Sequence, residues 1–283
     1  MNSKVVRILS VWYSNQVACV RWRNVLSKSF HIGNGTRQGG ILSPYLFTRY
    51  IRELLSAISS INIGCFIGDQ CVNILAYADD IVLMAPSWHA LQLLLNILNS
   101  QATAIDMTCN VHKTVCMMFE PKNRKHTIKT QFPLLKVGDN ALQYVSKFKY
   151  LGHIISHNLS DDDDIQREIR SMFTRCNLLI RKFSNCSFNA KLTLFRAFCL
   201  CFFDISLWHQ YSVGIMHKFY SCYNKCAKLF FGYKKYDSVT NMLLNTGLPS
   251  HNTVLHNARY AFQERWQLSS NSLIAKLRVL HSF

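Results

Sequence analysis

The sequence is poor in acidic residues. In 283 residues there are 15 Asp and Glu against 32 Lys and Arg, which gives a formal net charge of +17. That excess lies beyond the roughly 2 to 8 charges typical of a small soluble domain. Lys and Arg gain free energy on nucleic acid because they release counterions from its phosphates. The charge therefore predicts a nucleic-acid partner in preference to a membrane surface.

Long apolar runs are also absent. No apolar segment follows Lys4 and Arg7, so no signal peptide is expected. The best candidate for a membrane span, residues 197–207, is interrupted by Asp204. The 11 cysteines are nowhere spaced Cys-x-x-Cys, which argues against a zinc site and against a disulfide framework. A soluble, intracellular protein with reduced thiols and no membrane partner is predicted.

The chain has enough apolar residues for a sizeable core, because 49% of its 283 residues are hydrophobic. Alternating helix and strand patterns up to residue 159 predict an α+β layer. From Ser160 a basic helical bundle is predicted, with helices ending near Gly232 and Gly247 and aromatic side chains in its core. The predicted core aromatics are Trp208, Phe219, Tyr220 and Tyr223.

Four aspartates, residues 161–164, open this helical half. Ser160 as N-cap with acids in the first turn is typical of a helix N-terminus, and apolar residues at helical spacing follow. A metal-binding cluster is the less favoured alternative.

The tetrapeptide Tyr77-Ala78-Asp79-Asp80 stands between two apolar, strand-forming runs, residues 71–76 and 81–84. This pattern predicts a tight strand-turn-strand with two carboxylates at its tip. Adjacent acids inside an apolar hairpin require a compensating cation, because each loses hydration and repels the other. A pair of divalent metal ions for phosphoryl transfer would supply it. The alternative is a solvated turn in which Asp-Asp favours the bend.

A glycine-rich loop, residues 33–40, precedes this turn. Its glycines allow a close approach of the backbone to a ligand that Arg37 and Gln38 can reach. Ser43 as N-cap and Pro44 at the first position then predict a helix, and Ser87 caps another after the Asp pair. A Walker phosphate loop is excluded because the Gly-Lys-Ser/Thr ending is missing. An ordinary loop before a helix is the alternative.

Four stretches in order resemble successive motifs of a reverse transcriptase, in the form found in non-LTR retrotransposons. They are residues 35–47 with Gln38-Gly39, residues 77–80, Asn110 with Lys113-Thr114, and residues 149–152. The helices after residue 190 also resemble the region that follows the palm in that branch. The resemblance implies a partial polymerase palm, an antiparallel sheet packed on helices, in residues 1–159. A helical thumb-like region follows in residues 160–283.

The resemblance also implies roles for individual residues. Asp79 and Asp80 would be the catalytic carboxylates that bind Mg²⁺, with Asp79 favoured as the direct ligand. Contacts to the template and to the incoming deoxynucleoside triphosphate would come from Arg37, Gln38, Gly39 and Lys113. Leu151 and Gly152 would form the turn known as the primer grip. The partners would be an RNA template and a DNA primer.

One catalytic element of the family has no counterpart in this sequence. Family members carry a further aspartate upstream of the Gln-Gly motif, and neither Glu53 nor Asp69 fits that position. Finger residues and an endonuclease domain are missing as well. We therefore expect an N-terminally truncated RNA-directed DNA polymerase that is inactive alone. The alternatives are a non-catalytic nucleic-acid-binding remnant and a palm destabilised by an open sheet edge.

Overall fold

The computed structural model describes residues 3–33, 35–119, 132–202 and 205–280. The chain forms two compact units. The first unit comprises residues 1–66 and 71–108, and the second comprises residues 67–70 and 109–283.

The first unit begins with a helix and short strand pairs. These elements are α1 (Ser3–Ser14), β1 (Val17–Ala18), β2 (Arg21–Trp22), β3 (Val25–Leu26) and β4 (Phe30–His31). Strand β1 pairs antiparallel with β4, and β2 pairs antiparallel with β3. Helix α1 has no buried residue, so this part contributes little to the core.

Two helices, two hairpins and a long helix follow. They are α2 (Ser43–Tyr50), α3 (Arg52–Ser59), β5 (Cys65–Ile67), β6 (Gln70–Val72), β7 (Ile74–Tyr77), β8 (Asp80–Leu83) and α4 (Trp88–Ala104). The single helix expected after Pro44 is divided at Ile51, which is buried. The predicted cap of α4 is confirmed, because the Ser87 hydroxyl accepts a hydrogen bond from the Ala90 amide at 3.3 Å. Helix α3 packs on α4 and β7, and α4 also packs on β8.

Short strands also open the second unit. They are β9 (Val115–Cys116), β10 (Lys136–Val137), β11 (Asn140–Ala141), β12 (Gln143–Tyr144), β13 (Lys147–Tyr150) and β14 (His153–Ser156). Strand β12 pairs parallel with β9, whereas β10–β11 and β13–β14 are antiparallel hairpins. The mixed content of helices and strands agrees with the predicted α+β class. The described strands form two-stranded ladders, and the palm and thumb stay predictions.

The rest of the second unit is helical. Its helices are α5 (Asp162–Phe183), α6 (Phe188–Cys199), α7 (Val213–Phe231), α8 (Val239–Thr246), α9 (His251–Leu268) and α10 (Ser272–Leu280). The predicted ends of α7 and α8 are confirmed, since Gly232 and Gly247 take left-handed conformations with φ of 80° and 62°. Among the described helices, none is long and apolar enough to cross a membrane.

The core of the second unit lies among α5, α6 and α7. Trp208, Phe219 and Tyr223 are buried there as predicted, and Phe219 contacts Trp208 edge to face at 5.4 Å between ring centroids. Tyr220 is 41% exposed, so its prediction as a core residue is wrong. It follows Phe219 on the helix and lies at the rim of the buried face, where its ring contacts the buried His251 ring at 5.7 Å between centroids. All 11 cysteines are free thiols.

The four aspartates form a helix start, as the favoured reading of the sequence has it. Helix α5 begins at Asp162, but its N-cap is Asp161 and not Ser160. The Asp161 carboxylate accepts hydrogen bonds from the amides of His209 and Gln210 at 2.7 and 2.8 Å. Asp163 and Asp164 in this turn also form hydrogen bonds with the β13–β14 hairpin, which belongs to the same compact unit as the helices. The subdomain boundary predicted at Ser160 stays a prediction.

Candidate functional site

The Asp79-Asp80 pair lies at the tip of the β7–β8 hairpin. Tyr77 pairs with Asp80, so Ala78 and Asp79 form a two-residue turn. Both carboxylates are exposed, and no described residue forms an ion pair with either. A solvated tip keeps both groups hydrated, so the turn is stable without a bound cation, and the metal assignment stays a prediction. The carboxylates therefore stand free to bind a ligand from solution.

The turn itself is strained. Ala78 has a φ of 53°, in the left-handed region that costs a residue with a β-carbon roughly 1 to 2 kcal/mol. Such conformations persist only where the surrounding structure enforces them. Here the β7–β8 ladder on either side of the turn provides that constraint.

Sequence reasoning missed the residue that secures the base of this hairpin. The Asn73 side chain is buried, and its amide nitrogen donates to the carbonyls of Ile58, Ile61 and Ile63 at 2.8, 2.9 and 3.1 Å. The Asn73 carbonyl accepts a hydrogen bond from the Met84 amide at 2.9 Å. Asn73 thus joins the end of α3 to the hairpin that carries the acids. The available signal was a lone Asn within an apolar run, since a buried polar group requires partners.

The glycine-rich loop turns around the carbonyl of Arg37. That oxygen accepts hydrogen bonds from the Gly40 amide at 3.1 Å and from the Ser43 hydroxyl at 2.5 Å. Ser43 was expected to cap the helix; the N-cap is Leu42, and the Ser43 hydroxyl closes the loop instead. Gly39 has a φ of 76° and open space where a β-carbon would lie. The side chains of Arg37 and Gln38 are exposed, and their contact with a template stays a prediction.

We predict that Gly40→Ala lowers the free energy of unfolding by about 1 to 3 kcal/mol. An added β-carbon would lie 2.7 Å from the Ser43 hydroxyl and 3.1 Å from the Arg37 carbonyl, so their hydrogen bond must break. Urea denaturation measures the change. The control is Gly33→Ala, because a β-carbon at Gly33 meets nothing within 4 Å. Equal stability of the two variants would contradict this account of the loop.

A cleft of about 870 Å³ lies between α2–α3 and β7. Its walls include Arg49 and Arg52 on one side and Ile74 and Ala76 on the other. Among the described residues that line it, none is acidic. The cleft therefore places basic side chains of the helices after the glycine loop beside the strand that leads to Asp79.

The remaining predicted site residues belong to the second unit. Lys113 is exposed at the end of a turn in which the Asn110 carbonyl accepts from the Lys113 and Thr114 amides at 3.1 and 3.0 Å. Leu151 and Gly152 form the two-residue turn between β13 and β14, with φ of 48° and 93°. Leu151 is 51% exposed, so an apolar side chain is presented to solvent at this tip.

Carboxylate oxygens are the ligands that Mg²⁺ prefers, so the chemistry of Asp79 and Asp80 fits that ion. Within the described ranges, no group of three or more His, Cys, Asp or Glu side chains could hold a metal ion. The turn thus offers two ligands.

The sequence of the chain matches a known family over the segment that carries these residues. Residues 3–155, more than half of the chain, match the family model described as "Reverse transcriptase (RNA-dependent DNA polymerase)". The matched segment contains every site residue named above. The chain belongs to the reverse transcriptase family.

Its relatives are proteins of retrotransposable elements. The chain is 32% identical over 131 residues to the "Retrovirus-related Pol polyprotein from type-2 retrotransposable element R2DM" of Drosophila melanogaster, covering 44% of this chain and 12% of the relative. It is 33% identical over 127 residues to the type-1 element R2 polyprotein of Popillia japonica, covering 43% and 18%.

A type-1 element R1 polyprotein of Nasonia vitripennis is 24% identical over 138 residues, covering 47% of this chain and 38% of the relative. R2 and R1 are non-LTR retrotransposons, so the predicted branch is confirmed. The chain spans between 12% and 38% of the length of these relatives.

Proposed function

We propose that the chain is the RNA-directed DNA polymerase module of a non-LTR retrotransposon, which extends a DNA primer on an RNA template with deoxynucleoside triphosphates. The observation that carries the proposal is the exposed carboxylate pair at the tip of β7–β8 within a reverse transcriptase sequence. Both acids are exposed to solvent and form no ion pair with a residue that the structure describes, so they can accept a metal ion at little cost.

In this proposal Asp79 and Asp80 hold Mg²⁺, with Asp79 as the direct ligand. Bound Mg²⁺ would neutralise charge on the transferred phosphoryl group and align the attacking and leaving oxygens. Arg37, Gln38 and Gly39 contact the template and the incoming nucleotide, and Lys113 approaches its phosphates. The Leu151-Gly152 turn contacts the primer.

We also propose that this chain alone is inactive. Two metal ions need carboxylates from more than one structural element, because a single pair does not neutralise their mutual repulsion. The described residues supply one such element, the β7–β8 turn. In an active enzyme, a further carboxylate would have to come from a structural element other than the β7–β8 turn.

Binding of Mn²⁺, followed by the relaxation of water protons, tests the metal assignment. We expect the double variant Asp79→Asn, Asp80→Asn to weaken binding at least about tenfold, because both charged oxygen ligands become neutral. The matched control is Asp139→Asn, at the turn of the β10–β11 hairpin, which should bind as the wild type does. Unchanged binding in the double variant would refute the assignment.

Primer extension with Mg²⁺ or Mn²⁺ tests the activity. The wild-type chain alone should incorporate no nucleotide on a primed RNA template. Incorporation that is lost in Asp79→Asn would overturn the proposed inactivity and would support the polymerase assignment.

The second candidate is a non-catalytic nucleic-acid-binding protein. A groove of about 410 Å³ between α5 and α7 is lined by Lys218, Lys225 and His217. The described residues of its wall include no carboxylate. The Lys225 ammonium lies 5.6 Å from the centroid of the Phe173 ring, where cation–π attraction can hold it. A basic groove with an aromatic wall suits a phosphate backbone.

Salt-titrated binding to an RNA–DNA hybrid tests this groove. We expect Lys218→Ala with Lys225→Ala to reduce the slope of log K against log[salt] by about 2, one for each lost phosphate contact. Lys182→Ala, an exposed lysine elsewhere on α5, is the matched control for general charge. An affinity that falls steeply with salt concentration and does not depend on a divalent metal ion favours this candidate. An unchanged slope in the double variant would exclude the groove.

A further inference from the structure

Asp163 joins the two strands of the β13–β14 hairpin at their open end. Its carboxylate pairs with the Lys147 ammonium at 2.8 Å and accepts from the Ser156 hydroxyl at 3.2 Å. Lys147 and Ser156 face each other as the first residue pair of the ladder. One side chain from the first turn of α5 therefore bridges both strands.

Asp164 holds the same hairpin near its tip. Its carboxylate accepts from the Ile154 amide at 2.9 Å and pairs with the His153 ring at 3.0 Å. His153 faces Tyr150, and these two residues close the turn of Leu151 and Gly152. Successive carboxylates thus contact the base and the tip of β14.

The helical core fixes Asp164 in turn. Asp164 is fully buried and accepts from Arg167 Nε at 2.7 Å and from the Trp208 indole at 2.8 Å. Trp208 is itself buried in the core. Asp162 accepts only from the Ser212 amide, at 2.7 Å, and makes no contact with the hairpin among the described hydrogen bonds.

A hairpin of four residue pairs is marginally stable by itself, so its attachment determines where its tip lies. We infer that Asp163 and Asp164 are positioning residues, which set the orientation of the Leu151-Gly152 turn toward the primer 3′ end. This inference rests on the proposed function. It adds a role for the aspartate run that neither a helix cap nor a metal cluster explains.

The test uses Asp163→Ala in the full chain, since Asp163 is partly exposed and the core does not depend on it. Amide hydrogen exchange of residues 149–154 should accelerate about tenfold, the factor that corresponds to one lost charged hydrogen bond. Core amides of α7 should keep their protection. Affinity for an RNA–DNA hybrid with a recessed primer end should fall by a similar factor, about tenfold, while affinity for single-stranded RNA stays constant.

Two further variants control this result. Asp162→Ala, one residue away in the same turn, should alter neither the hairpin exchange nor the primer-end affinity. The charge exchange Lys147→Asp with Asp163→Lys restores the ion pair and should recover both. A faster hairpin exchange with unchanged primer-end affinity would overturn the inference and leave the proposed function intact. A wild-type chain without any preference for a recessed primer end would refute the proposed primer contact itself.

Discussion

Replacing Asp164 with alanine is expected to lower the free energy of unfolding by about 3 to 5 kcal/mol. The side chain is fully buried, and its loss removes the acceptor of the Trp208 indole and of the Ile154 amide. Arg167 Nε loses the same acceptor, while the Arg167 guanidinium keeps its contact with Glu168 at 3.2 Å. A buried donor that loses its acceptor costs about 1 to 3 kcal/mol, because it has left water without compensation, and the ion pair with Arg167 is lost as well. Urea denaturation followed by tryptophan fluorescence measures the loss.

The same carboxylate makes the free energy of unfolding depend on pH in the acid range. Burial by itself raises the pKa of Asp164, but hydrogen bonds from His153, Arg167, the Ile154 amide and Trp208 outweigh it and hold the pKa well below its usual range. The stabilisation is therefore complete above the unfolded pKa, near pH 4, and is lost as the pH falls below that value. In Asp164→Ala this component of the acid dependence should vanish.

Asp162→Ala is the control for Asp164, because Asp162 lies in the same turn and accepts a single hydrogen bond, from the Ser212 amide. Its cost should stay near 1 kcal/mol. If both variants lost equal stability and kept the wild-type acid dependence, the buried network would not be the source of the effect.

The second large effect is expected in the first unit. Asn73→Asp should lower the free energy of unfolding by about 4 kcal/mol, since a buried charge is added and hydrogen bonds are lost. The Asn73 amide nitrogen now donates to three carbonyls, and a carboxylate oxygen in its place would repel all of them. The site cannot relax easily, because Gly64 approaches so closely that a β-carbon there would lie 2.4 Å from the Asn73 β-carbon.

Urea denaturation and hydrogen exchange on residues 74–83 measure this change. Asn96→Asp provides the control, because Asn96 is exposed on α4 and its oxygen accepts from Gln92. A carboxylate keeps that acceptor, so the control should stay within about 0.5 kcal/mol of the wild type. Fast exchange of the hairpin in wild type would instead support the expectation of an unstable, open-edged palm.

Predictions from local sequence chemistry agree with the structure where neighbours in the chain determine the outcome. Ser87 caps α4 because its hydroxyl reaches an amide three residues ahead. Gly232 and Gly247 end helices because the left-handed conformation is cheapest without a β-carbon. The turn at Asp79 follows in the same way from the two apolar, strand-forming runs on either side of it.

Predictions failed where a partner lies far along the chain. Ser43 has the sequence context of a helix cap, yet the Arg37 carbonyl is its partner. Tyr220 lies in an apolar helical stretch, but the faces of α7 are assigned only when α5 packs against it. The role of Asn73 was not predicted, because the carbonyls that accept from its side chain lie 10 to 15 residues earlier in the chain.

The sequence by itself determined the order of reverse transcriptase motifs, the basic charge, the Asp79-Asp80 turn and most helix limits, since these depend on residue types at short separation. Only the tertiary structure decided that the acid pair is solvated, that Asn73 anchors its hairpin, and that the aspartates of α5 hold the Leu151-Gly152 turn. The contacts of Asn73 and those of the α5 aspartates with the β13–β14 hairpin join groups that lie 7 to 16 residues apart in the chain, and such contacts follow from the packing of the whole unit.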